Sequence, residues 1–584
     1  MTRTWRLLPL GFLVFVSLVF FMPTALPAAD WAEVTQERLL NADMDGSSWL
    51  THHRTYNGWR YSPLAQINTS NVGKLVPKWL FAGGGAGDQK GTPMVNNGIM
   101  VTVSVDAGDT VNPRTLVRQK VFALDARTGT VLWKHEHKLP EDLTLLVRIL
   151  LGPRGVAFWK DRVYYGTKDA RLIALKAATG EVVWNKEIDD YKAGYYVSMA
   201  PIAVKGKIIL GISGPGEMGS RGFVQAFNAE TGESLWRTYT VPGPGEPGNN
   251  TWPGETWKIG GAAAWHHGSY DPEQNLLFYG TGNPNPWIPD LRKGDNLYAN
   301  SVIALDADTG KLRWYFQVMP NEGWDLDTNQ EPLVVDLTRD GKRIKGVVQA
   351  NKLGYVYTLD RTNGKFVSAT RFVQNLNWGR VDPRTGKPVV DREKVPTMGG
   401  PRVEVCPGLI GATAWGNRPY NPGTGYMYIP ANEFCMMLGY AKELTYQRGK
   451  IHTGAMHDHH AKGDQAGVLR AYDVNANKFV WEWWNRTPLV THALTTGGDL
   501  VFLGTGEGKV VALNARTGEQ LWEFNLGTPI SGGLITYSVG GKQYVAVAAG
   551  GQTRSTAYYA KEPRWAHLKN VSWSDVVAVF ALPD

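Results

Sequence analysis

One motif recurs along the chain and limits what it can fold into: a short apolar strand, a polar turn that ends in Thr-Gly, and a second strand that closes on Trp. Clear copies span Ala123–Trp133, Ala174–Trp184, Ala226–Trp236, Ala304–Trp314 and Ala512–Trp522. Weaker copies span Thr358–Phe366 and Ala471–Trp481, and with a first copy ending at Trp79 the total is eight. Such periodic self-similarity is typical of a repeat architecture.

The chemistry of the repeat indicates how the copies assemble. Asp or Asn starts the turn through its own side chain, and Gly supplies the positive φ that the turn needs. Because one hairpin cannot bury its own apolar face, the copies must stack, and radial closure leaves few strand edges exposed. The sequence therefore predicts an all-β, eight-bladed β-propeller with tryptophan-docking repeats, forming a single domain over residues 30–584. The long gaps Trp236–Ala304 and Phe366–Ala471 predict loops that cap one mouth.

Residues 1–29 have the layout of a secretory signal peptide. Met1–Arg6 is basic, an apolar run follows from Leu7 to Phe21, and small residues at Ala28 and Ala29 offer a cleavage point. A membrane anchor is the alternative, but the run is shorter than the roughly 20 residues that span a bilayer. We expect export to the periplasm and no transmembrane segment in the mature chain.

Charge and cysteine usage narrow the function classes. The net charge of +8 is mild for 584 residues, and without a dense Lys/Arg run it does not indicate a nucleic-acid-binding protein. Cys406 and Cys435 are the only cysteines, so they form one disulfide in an oxidising compartment or are two buried thiols. No Cys-x-x-Cys-His occurs, so we expect no covalently bound haem.

Three loop motifs carry the candidate chemistry. They are Gly214–Gly222, which contains Glu217; Tyr279–Trp287, which contains Asn283; and Asn321–Asn329, which contains Asp325 and Asp327. Taken alone, Asp325 is as consistent with a residue that caps a turn as with a residue of a reactive site. Together with the repeat, these motifs resemble the periplasmic quinoprotein alcohol dehydrogenases, which bind pyrroloquinoline quinone (PQQ) and include the methanol and ethanol dehydrogenase large subunits. The resemblance covers nearly the whole chain after the leader.

The resemblance implies a metal site and a catalytic base. It places Glu217, Asn283 and Asp325 around an ion at the quinone, and such oxygen ligands suit calcium-like cations. It makes Asp325 the base that takes the alcohol proton as hydride leaves. Asp327 matches a second aspartate of the family members that use lanthanides, so the sequence slightly favours a lanthanide over calcium.

Further residues match contacts to the cofactor. Trp265 matches the tryptophan whose ring stacks on the planar quinone, with blade packing as the alternative role. The other cofactor positions implied by the resemblance are Arg154, Ser198, Lys352, Ile149 and Gly216. Cys406 and Cys435 match a structural disulfide of the family.

The chain also departs from the family pattern. Arg148-Ile149 stands where many members have adjacent cysteines over the quinone, so Ile149 is the expected apolar cover. Lys90 replaces a glutamate and Ala414 an asparagine of the family. The tryptophans that narrow the substrate pocket in the family have no clear counterpart here, since Val490 and Gln552 fall near their places. Smaller residues predict an alcohol larger than methanol, such as a secondary or cyclic one.

Partners and alternatives complete the expectations. Electrons should pass to a separate cytochrome c. One alternative is a non-catalytic propeller scaffold, and another is a quinoprotein that acts on aldehydes or polymer alcohols. The histidines His452, His457, His459 and His460 are predicted to lie in a polar loop, either solvated or bound to a transition metal.

Overall fold

The structure is a computed structural model that describes residues 30–85, 89–107, 116–144, 147, 152–550, 561–571 and 574–584. Nearly all regular structure in these ranges is β. The described α-helices are α1 (Gln36–Leu40) and α2 (Pro215–Met218), and the 3₁₀ turns are Val72–Lys74, Tyr191–Ala193, Asn249–Thr251, Thr256–Ile259, Pro289–Arg292, Arg392–Lys394 and Pro563–Asn570. The first strands are β1 (Tyr61–Ser62) and β2 (Val76–Ala82).

Five four-stranded antiparallel sheets then follow in chain order. The first comprises β3 (Met94–Asn96), β4 (Ile99–Ala107), β5 (Leu116–Asp125) and β6 (Val131–Lys138). The second comprises β7 (Ala157–Trp159), β8 (Arg162–Gly166), β9 (Arg171–Lys176) and β10 (Val182–Glu187). The third comprises β11 (Ile202–Val204), β12 (Lys207–Gly211), β13 (Phe223–Asn228) and β14 (Ser234–Tyr239). The fourth comprises β15 (Ser269–Asp271), β16 (Leu276–Gly280), β17 (Ser301–Asp306) and β18 (Leu312–Gln317). The fifth comprises β19 (Leu333–Arg339), β20 (Lys342–Ala350), β21 (Tyr355–Asp360) and β22 (Phe366–Arg371).

The sixth sheet is interrupted by an insertion. Before the first strand of that sheet, the chain forms the hairpin β23 (Gly379–Val381) and β24 (Pro388–Val390), followed by β25 (Val403–Val405). The sheet itself comprises β26 (Tyr420–Asn421), β27 (Tyr426–Asn432), β30 (Gly467–Asp473) and β31 (Lys478–Asn485). Between its second and third strands lie β28 (Phe434–Tyr440) and β29 (Ala455–Ala461), which form a small sheet with β25.

The last two sheets close the ring with strands from the start of the chain. The seventh comprises β32 (Ala493–Thr496), β33 (Leu500–Gly504), β34 (Lys509–Asn514) and β35 (Gln520–Asn525), to which β1 adds in parallel. The eighth comprises β36 (Leu534–Val539), β37 (Lys542–Gly550) and β38 (Asp575–Ala581), completed by β2. Because β2 pairs with β38, the sequence ends meet in one sheet. This is the all-β propeller architecture that the repeats predict.

The repeat residues explain how neighbouring sheets dock. In the clear copies the first Ala and the last Trp are cross-strand partners, as in Ala174↔Trp184. The ring of Trp133 then lies on Gly180 of the next repeat, where a Cβ would come within 2.5 Å of the ring. The Trp133 Nε1–H donates to the carbonyl of Ala177 at 2.8 Å. Gly180 has φ +76°, so both the turn and the tryptophan contact require glycine there.

The insertion packs onto the loop that carries the two aspartates. Trp324 and Leu326 are buried in one apolar cluster with Leu438 and Tyr440 of β28. The Tyr440 hydroxyl donates to the carbonyl of Gly323 at 2.7 Å. The long gap Phe366–Ala471, which contains β28, therefore covers this loop.

Candidate active site

The Asp325 turn is held by its two apolar neighbours. Trp324 and Leu326 are 1% and 0% exposed, and the Trp324 Nε1–H donates to the carbonyl of Lys394 at 2.7 Å. Asp325 lies between them in the left-handed region, with φ +64°. A non-glycine residue is rarely found there, and such strain is most often seen at functional sites.

Lys352 lies between the two aspartates. Its Nζ is 2.6 Å from Asp327 Oδ2 and 3.4 Å from Asp325 Oδ2, and it donates to the carbonyl of Asp325 at 2.8 Å. All three side chains are buried, with 4% exposure for Lys352, 6% for Asp325 and 2% for Asp327. Asp327 Oδ1 also accepts the N–H of Asn283 at 2.6 Å. Asp327 thus links the lysine to the loop that carries Asn283.

The electrostatics of the site favour a charged lysine and a strongly basic aspartate. Burial raises the pKa of Asp325 well above its ordinary value, and the charges of Asp327, Glu217 and Glu322 add to that rise while Lys352 opposes it. Burial lowers the pKa of Lys352, but the nearby Asp325 and Asp327 carboxylates outweigh this effect and raise it overall. Because Glu217 acts on Asp325 electrostatically, the structure places both in one region.

Helix α2 and the Asn283 loop are joined through one carbonyl. The Gly216 carbonyl accepts from Asn283 Nδ2 at 3.1 Å, Asn285 Nδ2 at 3.0 Å and Trp287 Nε1 at 3.2 Å. Asn283 Nδ2 also donates to the carbonyl of Pro284 at 3.2 Å, which leaves Oδ1 as the atom of this side chain that a cation would use. Glu217, next to Gly216, is thereby fixed relative to Asn283.

Three of the predicted cofactor residues come together beside this region. The Arg154 guanidinium lies 5.0 Å from the centre of the Trp265 ring, and its NH1 donates to Ser198 Oγ at 2.8 Å. Arg154 and Ser198 are fully buried, whereas Trp265 keeps part of its surface exposed between buried neighbours. A flat ring with an open side next to a buried cation fits a planar, anionic cofactor.

The donor chemistry fits a hard cation as well. Glu217, Asp325 and Asp327 offer carboxylates and Asn283 an amide oxygen, while Lys352 is the one cation whose contacts with the aspartates are described. Buried carboxylates in excess of cations need further positive charge. Among the described residues, no three His, Cys, Asp or Glu side chains converge as a ready metal cage. Lys352 stands between the aspartates instead.

The wall above Trp265 differs from the expected open pocket. Val490 and Ala414 are buried there, in an apolar cluster with Trp415, Phe434 and Trp565. The Phe434 and Trp565 rings stack with centroids 6.0 Å apart. Trp415 and Trp565 are aromatic wall residues that the sequence reasoning missed.

Lys90 is fully buried at this wall, with its Nζ 4.0 Å from the centre of the Trp415 ring. Such a cation over an aromatic face is a favourable contact. Ile149 and Gln552 lie outside the described residues, as does the leader 1–29. In the described ranges, no helix is long and apolar enough to cross a membrane.

A cluster of buried histidines adjoins Trp265, and the sequence reasoning missed it. Its members are His52, His53, His266, His267 and His492. The His52 and His267 rings stack at 3.4 Å, and His266 lies 5.0 Å from His267. The paired dipeptides His52-His53 and His266-His267 were the available signal, but only the fold brings them together.

The disulfide between Cys406 and Cys435 is confirmed. It closes a loop that braces the lysine of the site, because the N–H of Ala412 donates to the carbonyl of Lys352 at 2.9 Å. Gly411 lies so close to Lys352 that a Cβ would come within 2.3 Å of its side chain.

The predicted histidine loop is wrong as secondary structure. His457, His459 and His460 lie on β29, because the apolar strand β28 gives this polar segment a pairing partner. His460 bonds Glu404 at 2.8 Å. His452 is buried, and its Nδ1 bonds Asn285 Oδ1 at 2.8 Å.

Comparison with known proteins identifies the family of the chain. The family model described as the glucose/ethanol/alcohol dehydrogenase β-propeller domain (PQQ) matches residues 49–371 and 484–545. The quinoprotein alcohol dehydrogenase PedH of Pseudomonas putida is 39% identical over 549 residues, which is 90% of each chain. A quinoprotein ethanol dehydrogenase of Pseudomonas putida is 36% identical over 93% of this chain and 92% of its own. A solved europium-containing methanol dehydrogenase superposes with a TM-score of 0.86 at 32% identity, covering 94% of this chain and all of that one. The chain therefore belongs to the PQQ-dependent alcohol dehydrogenase family.

Proposed function

We propose that this enzyme oxidises an alcohol by base-assisted hydride transfer to PQQ, with Asp325 as the base. The observation that carries the proposal is the strained, buried Asp325 turn, with Asp325 Oδ2 3.4 Å from the Lys352 ammonium. When bound, the quinone supplies an electrophilic carbon that accepts hydride. The residues of the chain supply the base, the positive charge and the dry surroundings.

Asp325 is suited to accept the alcohol proton. Burial raises its pKa, so its carboxylate holds a proton more strongly than an exposed aspartate does. Lys352 keeps that carboxylate from being left unpaired before substrate binds. Lys352 is also the cation that we place near the carbonyls of the quinone.

The cofactor would lie on Trp265. Arg154 and Ser198 would contact its carboxylates. The hydrogen bond of 2.8 Å from Arg154 Nη1 to Ser198 Oγ, beside the Trp265 ring, supports this placement. Gly216 would border the site through its tightly bonded carbonyl. Ile149 would cover the opposite face.

We place the metal between Glu217, Asn283, Asp325 and Asp327. A third carboxylate favours a more highly charged ion, so we favour a lanthanide over calcium. The name of the europium-containing structural relative supports this choice.

The finer assignments concern substrate, acceptor and location. We propose an alcohol larger than methanol, secondary or cyclic, because Val490 and Gln552 are smaller than the tryptophans that narrow the pocket in the family. We propose a separate cytochrome c as electron acceptor. The basic and apolar pattern of residues 1–29 supports export to the periplasm.

Reconstitution tests the proposal. Purified protein is loaded with PQQ and either calcium or lanthanum, and dye-linked activity is measured across methanol, ethanol, secondary and cyclic alcohols. Asp325→Asn should retain bound quinone absorbance and lose activity at least 100-fold. Wild-type protein that binds no quinone would instead indicate a scaffold.

The metal assignment is tested in the same assay. Asp327→Ala should reduce lanthanum-dependent activity more than calcium-dependent activity. Unchanged lanthanum-dependent activity would remove Asp327 from the ligand set. Turnover confined to methanol and ethanol would contradict the larger substrate.

A further inference from the structure

A buried glutamate beside the catalytic loop has no role in the proposed chemistry. Glu322 is 1% exposed, and its Oε1 accepts the N–H groups of Trp324 at 2.5 Å and Leu326 at 2.9 Å. These two N–H groups flank Asp325 on either side. One carboxylate oxygen of Glu322 therefore bonds the backbone on both sides of Asp325, whose φ is +64°.

This arrangement has a conformational consequence. An aspartate in the left-handed region returns to an ordinary φ unless its surroundings prevent it. Rotation of the Asp325–Leu326 peptide would break the bond from the Leu326 N–H, and rotation of the Gly323–Trp324 peptide would break the bond from the Trp324 N–H. Charge-assisted bonds to backbone N–H groups are stronger than neutral ones, so a carboxylate is well suited to this task.

Glu322 is itself tied to the loop that carries Asn283. The buried Arg292 guanidinium donates to the carbonyl of Glu322 and to those of Pro286, at 2.5 Å, and Trp287, at 3.3 Å. Pro286 and Trp287 directly follow the Asn283 segment. The Asp325 turn and the Asn283 loop thus share one cation.

We propose that Glu322 is a positioning residue, which with Arg292 fixes Asp325 relative to Asn283 and so presets the metal-binding geometry. The inference rests on the proposed function, because it takes Asp325 and Asn283 as metal ligands. Glu322 acts through hydrogen bonds to the backbone and has no contact with substrate. Its Oε2 has no hydrogen-bond partner among the described residues, so one acceptor oxygen performs the task.

Two substitutions separate hydrogen bonding from charge. Glu322→Gln removes the charge and keeps an oxygen that can accept both N–H groups. Glu322→Leu has similar bulk and removes the acceptor. The probe is Tb³⁺, whose luminescence is excited through nearby tryptophan, titrated into PQQ-loaded protein. The apparent Tb³⁺ Kd, kcat and KM are measured for each variant.

We expect Glu322→Gln to stay within about 3-fold of wild type in Tb³⁺ affinity, because the accepting oxygen remains. We expect Glu322→Leu to weaken Tb³⁺ binding at least 10-fold and to lower kcat more than it raises KM, because the base is misplaced. Equal losses in both variants, or wild-type behaviour of Glu322→Leu, would overturn the proposal.

Glu433 provides a matched control. It is buried, and its carboxylate accepts the N–H groups of Gln374 at 2.8 Å and Asn375 at 2.7 Å. Glu433→Gln and Glu433→Leu should change thermal stability and leave the Tb³⁺ Kd unchanged. A loss of Tb³⁺ affinity in Glu433→Leu equal to that in Glu322→Leu would show a general loss of packing and overturn the positioning role.

A milder variant tests the proposal where Glu322→Leu fails to fold. Glu322→Asp keeps the charge but shortens the side chain, so one carboxylate oxygen no longer reaches both the Trp324 and the Leu326 N–H groups. A measurable weakening of Tb³⁺ binding supports the proposal, and unchanged binding overturns it. Absence of quinone or Tb³⁺ binding in wild type refutes the proposed function itself, whereas normal wild-type binding with an inert Glu322→Leu refutes only this inference.

Discussion

The buried histidine cluster predicts an enzyme that loses stability steeply in mild acid. Burial lowers the pKa of His53 to about 3 and lowers the pKa of the other members well below the ordinary value. Arg60, Arg154 and Arg418 face the cluster and oppose its protonation, whereas Glu331 favours that of His53. The folded cluster therefore stays neutral where free imidazoles are charged.

The direction in which stability changes with pH follows from the protons bound by the folded and unfolded states. The unfolded chain binds protons on these imidazoles near pH 6.5, and the folded protein does not until far lower pH, so the free energy of unfolding falls as pH falls below 6.5. One such histidine removes about 1.4 kcal/mol at pH 5.5. Five remove about 7 kcal/mol, which is comparable to the whole stability of a typical domain. Near pH 7 the loss is below about 1 kcal/mol.

Denaturant unfolding followed by tryptophan fluorescence at pH 7.0, 6.5, 6.0 and 5.5 measures the effect. Because carboxylates also titrate, the test is a difference between variants. His53→Gln removes one titrating imidazole, so its unfolding free energy should fall about 1.3 kcal/mol less than that of wild type between pH 7 and 5.5. His567→Gln is the control, because His567 is exposed to water. Parallel pH profiles for His53→Gln and wild type would refute the reasoning.

Three other substitutions test parts of the fold. Gly180→Ala should cost about 3 kcal/mol in unfolding free energy, because the added Cβ would clash with a tryptophan ring. Gly245 also has a positive φ, +83°, but nothing lies within 4 Å of an added Cβ, so Gly245→Ala should cost about 1 kcal/mol. Equal losses of stability in calorimetry would contradict the packing argument. Burial raises the pKa of Asp575 to about 6, so the folded state loses stability as pH rises from 3.8 through 6. Asp575→Asn should therefore raise the free energy of unfolding by up to about 3 kcal/mol at pH 7 and leave it unchanged below pH 4. A gain that does not depend on pH in denaturant titrations would contradict this. Replacing both Cys406 and Cys435 by Ser should cost about 3.5 kcal/mol, from the separation of 29 residues, and an unchanged denaturation midpoint would contradict it.

The fold could be predicted because the repeat is locally complete. Each copy contains its own turn residues, its Gly and its Trp, and the register Ala174↔Trp184 follows directly from that spacing. The closing strand β2 carries Trp79 of the first copy, but nothing local identified its partner, because β38 lies almost 500 residues away. The strand β29 was missed for a related reason. Its histidines look like a loop until the apolar β28 is known to pair with them.

The sequence could predict the part of the site in which side chains contact one another, and not the part in which side chains bond to the backbone. The loop motifs and the family resemblance pointed to Asp325, Asp327 and Lys352, and the structure brings these three into contact. Glu322 stood in the same stretch of sequence, but its partners are backbone N–H groups whose directions depend on the folded turn. Arg292 binds carbonyls, which no motif records.

The pairing of Lys352 with Asp327 changes how the aspartate should be interpreted. One oxygen of Asp327 bonds the ammonium and the other bonds the N–H of Asn283, so the residue organises the site even without an ion. Asp327→Ala would remove the 2.6 Å contact of Lys352 as well as a carboxylate. Asp327→Asn keeps an acceptor for Asn283 and weakens only the charge contacts. If the lanthanide preference resides in the charge of Asp327, both variants must lose it; if it resides in the position of Asn283, only Asp327→Ala does.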